Sequence, residues 1–202
     1  MALIEETLLA SGITLIAGVD EAGRGPCAGP LVIAATILKD PFAPELARVK
    51  DSKALTEKVR EELFDVIIEQ SLAYSIISIT AREIDERGLH KSNLEGMRRA
   101  ILALETEPEY ALTDGYPIEG LAMPTLAVWK GDQVAISISA ASILAKVTRD
   151  REMIEWDKKY PQYGFAGHKG YITAKHTKAL NENGICEIHR TSFANIQGLL
   201  QK

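Results

Sequence analysis

Apolar residues fall into short unbroken runs and longer amphipathic stretches that alternate along the chain. Residues 13–20, ITLIAGVD, predict a strand: Ile13, Leu15, Ala17 and Val19 form one apolar row, and Thr14, Ile16, Gly18 and Asp20 form the other. The Gly/Pro-rich turn GRGPCAGP separates it from LVIAATIL at 31–38, a continuous apolar run that suits a central strand covered on both faces. So short a connection predicts antiparallel pairing. Within 56–70, Val59, Leu63, Val66 and Ile67 recur at helical spacing, with Thr56 as N-cap. A third strand is expected at 72–79. Two capping-box patterns follow, Thr80 with Glu83 and Ser92 with Glu95. The second is read as the start of a helix carrying Leu94, Met97, Ile101 and Leu104 on one face. Short strands at 110–114 and 126–130 precede a long helix from about Ser137 to Lys159. The loop PQYGFAGHKGY leads to a helix stopped at Asn183-Gly184, and a last short helix follows Ser192.

This order of elements describes the layered α/β class, a mixed sheet with helices on both faces. Residues 1–160 read as one core and 161–202 as a helical extension packed on it, in a single folding unit.

The chain of 202 residues has 46% hydrophobic and 25% charged residues, enough to bury a real core. The N-terminal MALIEETLLASG lacks the basic region of a signal peptide, and no apolar run approaches the ~20 residues that span a bilayer. A cytoplasmic, monomeric protein with no membrane partner is expected. Cys27 and Cys186 are expected as free thiols, and Cys186 and His189 form a C-x-x-H fragment with no second pair to complete a zinc set. The net charge of −5 counts against a nucleic-acid partner, but it is unevenly spread. From residue 141 onward there are ten Lys/Arg against six Asp/Glu. A basic C-terminal third permits phosphate contacts beside an acidic site that holds metal.

The informative acids are Asp20, Glu21, Asp114 and Asp132, all at or just past the ends of predicted strands. Carboxylates gathered at one sheet end repel one another unless a cation neutralises them. Oxygen-only ligands without Cys or His point to a hard ion, Mg2+ or Mn2+. A pair of such ions suits phosphodiester hydrolysis. Read singly, Asp114-Gly115 and Gly131-Asp132 are equally ordinary turns. In a regular strand Glu21 faces away from Asp20, so sharing one site calls for a bend, for which Gly23 and Gly25 leave room.

The segment GVDEAGRGPCAGP at 18–30 closely resembles the signature of type 2 ribonuclease H. Further matches come in order: DSKALT at 51–56, TDG at 113–115, KGD at 130–132, SAASILAKVTRD at 139–150, YPQYGFAGHKGY at 160–171 and HRTSF at 189–193. The resemblance implies a ribonuclease H-like fold, a five-stranded mixed sheet flanked by helices with a C-terminal helical portion. It also implies that Asp20, Glu21, Asp114 and Asp132 are catalytic, with Asp20, Glu21 and Asp114 as principal metal ligands. Asp150 is the rival for the fourth place, against a structural salt bridge beside Arg149 and Arg151. Gly23, Arg24 and Gly25 look like the reader of the RNA–DNA junction, where backbone amides approach a nucleotide and report its 2′-OH. Tyr171 resembles the tyrosine that packs on the adjoining sugar; the alternative is a core tyrosine. Lys53, Lys146, Arg149, Lys169 and Lys175 are candidate phosphate contacts, each otherwise a solvated charge. With two metals acidifying water, neither His168 nor His176 is needed as a base. Ile172 departs from the small or turn-forming residue common in relatives.

The implied reaction cuts the RNA strand of RNA/DNA hybrids, and 5′ of single ribonucleotides embedded in duplex DNA, leaving 3′-OH and 5′-phosphate ends. Three rivals are a type 3 ribonuclease H, a non-catalytic binding module and a small-molecule phosphatase. The first calls for an N-terminal domain ahead of the first strand, the second for loss of the acids. The third is disfavoured because GRGPCAGP lacks the Gly-Lys-Ser/Thr ending of a P-loop. The tail NIQGLLQK carries Q-G-L-L, a weak pointer to sliding-clamp contact.

Overall fold

In the computed structural model, which describes residues 4–131 and 134–200, a short helix α1 (Ile4–Ala10) precedes strand β1 (Ile16–Ala22). Then come β2 (Leu31–Leu38), α2 (Glu57–Gln70), β3 (Ser71–Ile79), α3 (Ala81–Arg87) and α4 (Leu89–Leu102). The chain continues through β4 (Tyr110–Asp114), β5 (Thr125–Val128), the 24-residue α5 (Ile136–Lys159), α6 (Phe165–His168), α7 (Ala174–Asn183) and α8 (Ala194–Leu200).

The five strands form one mixed sheet in the order β3-β2-β1-β4-β5. β1 pairs antiparallel with β2 and parallel with β4, so it is the strand where direction changes. Both rows of β2 are buried, as its unbroken apolar run predicts. Ile33, Ala35 and Ile37 pack under Met97, Ala100 and Ile101 of α4. Val32 and Ala34 pack on the other face against Ala140, Ala141 and Leu144 of α5, with Leu63 and Ile67 of α2 beside them. Gly18 is required by this second layer: a Cβ there would lie 2.1 Å from the Ser137 carbonyl carbon. Glycine lets the start of α5 settle directly on β1.

Thr56 caps α2 and the Thr80–Glu83 capping box is formed. The Ser92–Glu95 box is not. Gly88 starts α4 earlier, and Ser92 is buried within its first turns, so its hydroxyl has no helix end to cap. α1 was not anticipated. It brings Glu5, fully buried, to the start of α5, where its Oε1 accepts from Ser137 N (2.9 Å) and Ser137 Oγ (2.8 Å).

The C-terminal helices pack on the core through a cluster that joins Cys27, Ala28 and Met153 to Tyr163, Phe165, Leu180, Ile188 and Ile196. A bridge between Ala28 and His189 ties the turn after β1 to this region. Cys27 and Cys186 are free thiols. Among the described residues no helix is long and apolar enough to cross a membrane.

Candidate active site

The ladder between β1 and β4 ends at Val19–Thr113, whereas β1 stays paired with β2 as far as Ala22–Val32. The open edge of β1 beyond Val19 therefore borders a depression of about 330 Å3, lined by Asp20, Glu21, Gly23, Arg24, Lys53, Lys146 and Tyr171 among others. Both acids reach it without the bend at 20–21 that strand alternation called for. Pairing with β2 is regular through both residues, and it is the early end of β4 that opens the space.

Asp20 is buried, and its Oδ1 accepts from Glu21 N at 2.7 Å. Asp114, at the end of β4, accepts from Gly131 N at 2.8 Å. It lines an adjoining depression of about 310 Å3 that shares Arg24 and Lys53 with the first. Asp132 lies outside the described residues. Arg24 approaches Glu21 Oε1 at 3.5 Å and donates to the Tyr116 hydroxyl at 3.0 Å, with its guanidinium over that ring. Burial pushes the Glu21 carboxyl above its ordinary range; Arg24 opposes the shift, and the Asp114 charge adds to it.

Among the described residues, Glu21 Oε2 and both polar atoms of Asn93 on α4 are buried without a hydrogen-bond partner of good geometry, and Asn93 lies close enough to Glu21 to offset part of the rise in its pKa. An orphaned carboxylate oxygen held against a second carboxylate fits a hard cation as the missing partner. Among the described residues no three or more His, Cys, Asp or Glu side chains are grouped closely enough to hold a metal ion by themselves.

The remaining candidates separate clearly. Lys53 sits on a turn whose Asp51 side chain accepts from its amide at 2.8 Å, and it faces both depressions. Lys146 is held at 2.8 Å by Asp150, which Arg60 also approaches at 3.9 Å. Asp150 thus pairs with Lys146 and Arg60, while its sequence neighbours Arg149 and Arg151 turn to main-chain carbonyls and to Glu61. Burial lowers the Lys146 pKa and Asp150 partly restores it. Tyr171 is 49% exposed and touches the space above Gly25, so it is not a core tyrosine. Arg149 corrects the list of phosphate contacts. It is buried, and donates to Pro30 O (3.0 Å), Ala28 O (3.2 Å) and Lys169 O (3.0 Å). Lys169 Nζ is turned onto Ala166 O at 2.7 Å, and Lys175 lies against Gly164.

Sequence reasoning missed Trp129, Tyr116 and Asn93. Trp129 is 81% exposed and walls the Asp114 depression. Its one legible signal is that it directly precedes the Lys-Gly-Asp motif. His168 and His176 stack at 4.4 Å, with His176 bonded to the Tyr171 carbonyl, and neither lines the depressions that hold Asp20, Glu21 and Asp114. A larger groove of about 760 Å3 beyond Tyr116 is lined by Arg87, His90, Lys91, Glu95 and Arg98, and by none of Asp20, Glu21 and Asp114.

Residues 17–196 match the family pattern of ribonuclease HII. Ribonuclease HII of Salinispora arenicola is 53% identical over 193 residues, covering 96% of this chain and 72% of that protein. The ribonuclease HII of Rhodococcus erythropolis is 54% identical over 96% of this chain and 85% of its own length. Among solved structures, ribonuclease H2 of Pyrococcus horikoshii superposes with a TM-score of 0.82 at 31% identity, covering 92% of this chain and 97% of that one. The ribonuclease HII of Archaeoglobus fulgidus, solved in complex with PCNA, gives 0.78 at 28% identity over 93% and 98%. A sheet with acids at the ends of adjacent strands, matched over almost its whole length, places this chain in the ribonuclease HII family, metal-dependent endoribonucleases that cut RNA within RNA/DNA hybrids.

Proposed function

We propose that the chain cuts the RNA strand of hybrids and also nicks duplex DNA on the 5′ side of single embedded ribonucleotides, leaving 3′-OH and 5′-phosphate ends. Asp20, Glu21 and Asp114 would hold divalent ions, Mg2+ or Mn2+, and Asp132 would complete their shell. Bound there, a pair of such ions supplies acidified water and offsets charge on the attacking and leaving oxygens.

The single observation that carries this reading is the Glu21 carboxylate, buried with one oxygen unpartnered and raised in pKa by burial and by Asp114. A folded chain keeps such an arrangement at a cost in stability, which a bound cation removes. The other residues position the substrate. Lys53 and Lys146 stand on the depression's rim as phosphate partners, and Tyr171 offers an aromatic face for a sugar. The turn at Gly23, Arg24 and Gly25 brings backbone close to the ribose, and Arg24 links it to the acids through Glu21.

Residues 1–160 and 161–202 are read as one folding unit, monomeric and cytoplasmic. The tail is assigned a sliding-clamp contact through Gln197, Gly198, Leu199 and Leu200, since the Archaeoglobus fulgidus relative is solved with PCNA and Leu200 is 56% exposed. Asp20→Asn tests the catalytic assignment: cleavage is abolished while the circular dichroism spectrum is kept. A variant that cuts at the wild-type rate removes Asp20 from the site.

A further inference from the structure

Arg190 is fully buried, and among the described residues every hydrogen bond its side chain donates goes to a main-chain carbonyl of the turn after β1. Its Nη2 donates to Gly23 O (2.7 Å), Gly29 O (2.9 Å) and Pro30 O (3.1 Å). Its Nε donates to Gly29 O (3.0 Å), and its Nη1 to Arg24 O (3.3 Å). Arg149 grips the same turn from α5, through Pro30 and Ala28, and its side chain lies where a Cβ on Gly23 would be, 2.2 Å away. A buried cation whose hydrogen bonds all go to neutral carbonyls is expensive, and that cost needs a return.

The return lies in the direction of the peptides. In a trans peptide the carbonyl and the following N–H point opposite ways, and no cis bond occurs among the described residues. Because the carbonyls of Gly23 and Arg24 are drawn inward onto Arg190, the amides of Arg24 and Gly25 are turned away from it. Among the described residues, neither amide donates a hydrogen bond. Both residues line the depression that contains Asp20, Glu21 and Tyr171. Two fixed, unspent donors beside the acids form a small backbone nest for an oxygen-bearing ligand.

We propose that Arg190 is the positioning residue of this nest: without touching substrate, it fixes the two outward amides that recognise the ribose 2′-oxygen. The proposal rests on the reading of Gly23–Gly25 as the ribose-contacting turn. Lysine places one point charge where the guanidinium fork serves several carbonyls, so Arg190→Lys keeps the charge and loses most of the grip. Arg190→Met loses both.

The test compares cleavage of two duplexes, one with a single ribonucleotide and one with a 2′-fluoro nucleotide in its place, by wild type, Arg190→Lys and Arg190→Met. Unfolding is monitored in parallel. The wild type strongly prefers ribose. That preference falls at least tenfold in Arg190→Met and by a smaller factor in Arg190→Lys, beyond any loss explained by the folded fraction. An unchanged preference in a folded variant overturns the positioning role while leaving the turn's reading intact. Equal cutting of both duplexes by the wild type overturns the reading itself, and the proposal with it. Because Arg190→Met risks unfolding, wild-type amide exchange provides a second measurement. The Arg24 and Gly25 amides exchange freely in the protein alone and are protected at least tenfold by the ribonucleotide duplex, with Ca2+ present to prevent turnover. No added protection contradicts the proposal.

Discussion

Asp20 and Asp114 stand at the same level of neighbouring parallel strands, each one residue past the Val19–Thr113 pair. They come from positions far apart in sequence, and parallel register alone brings them together. Neutralising either should spare the fold, since both lie beyond the paired part of the β1–β4 ladder. Asp114→Asn is expected to lower cleavage at least a hundredfold with an unchanged circular dichroism spectrum. An Asp114→Asn enzyme within a few-fold of wild type would remove Asp114 from the reaction.

Cation binding should register as stability. Glu21 is buried and feels the Asp114 charge, so Mg2+ or Mn2+ relieves repulsion in the folded state only. At a hundred times Kd the gain is about 2.7 kcal/mol, or several degrees of Tm for a chain of this size. Chelation reverses it, and Glu21→Gln blunts it. Thermal unfolding that ignores added Mg2+ and Mn2+ speaks against the site.

Tyr171 is half exposed above Gly25, so its removal leaves no core cavity. Tyr171→Ala is expected to slow cutting at a single embedded ribonucleotide far more than it weakens binding. Equal losses in kcat and affinity would mark the ring as merely structural.

Lys53 should act as a phosphate partner with no preference for sequence. Lys53→Ala weakens binding evenly across duplexes and reduces the slope of log K against log salt by about 0.9, the loss of one neutralised phosphate. An unchanged slope takes Lys53 off the substrate.

Acid should loosen the C-terminal helices through two histidines. His176 Nδ1 donates to Tyr171 O at 3.0 Å, so its Nε2 accepts from His189 Nε2, also at 3.0 Å. His189 Nδ1 in turn accepts from Cys186 N at 2.9 Å. Protonating either ring sets two N–H groups against each other. Burial lowers both pKa values, that of His189 to about 4. The unfolded chain thus takes up protons first as pH falls below 6.5. Stability is full above that value and declines toward pH 4, by on the order of 3 kcal/mol for His189 alone. Denaturant midpoints across this window check it, and His189→Gln should flatten the profile.

How much was legible in the sequence depended on how local the cause was. Thr80 and Glu83 meet within one helical turn, so their capping box was readable; Ser92 and Glu95 have the same spacing, but Gly88 begins α4 before them. The strands were found because β2 is apolar throughout and β1 carries the apolar row of Ala17 and Val19, although β1 runs on past Asp20 to Ala22. Asp20, Glu21 and Asp114 were picked out by strand ends and family motifs together, and the structure brings the three to adjoining depressions. What was not legible was tertiary. Nothing near Arg149 in sequence shows that its guanidinium turns inward to Pro30 rather than outward to phosphate. Likewise, the burial of Asn93 and the exposure of Trp129 depend on how α4 and β5 dock.

The most direct test is to offer a DNA duplex containing one ribonucleotide, with and without Mg2+ or Mn2+, and to map the break. A single cut 5′ of the ribonucleotide, bearing 3′-OH and 5′-phosphate ends and seen only with the divalent ion, is the predicted result. Cleavage that persists in chelator, or that falls equally on an all-DNA duplex, would contradict the account.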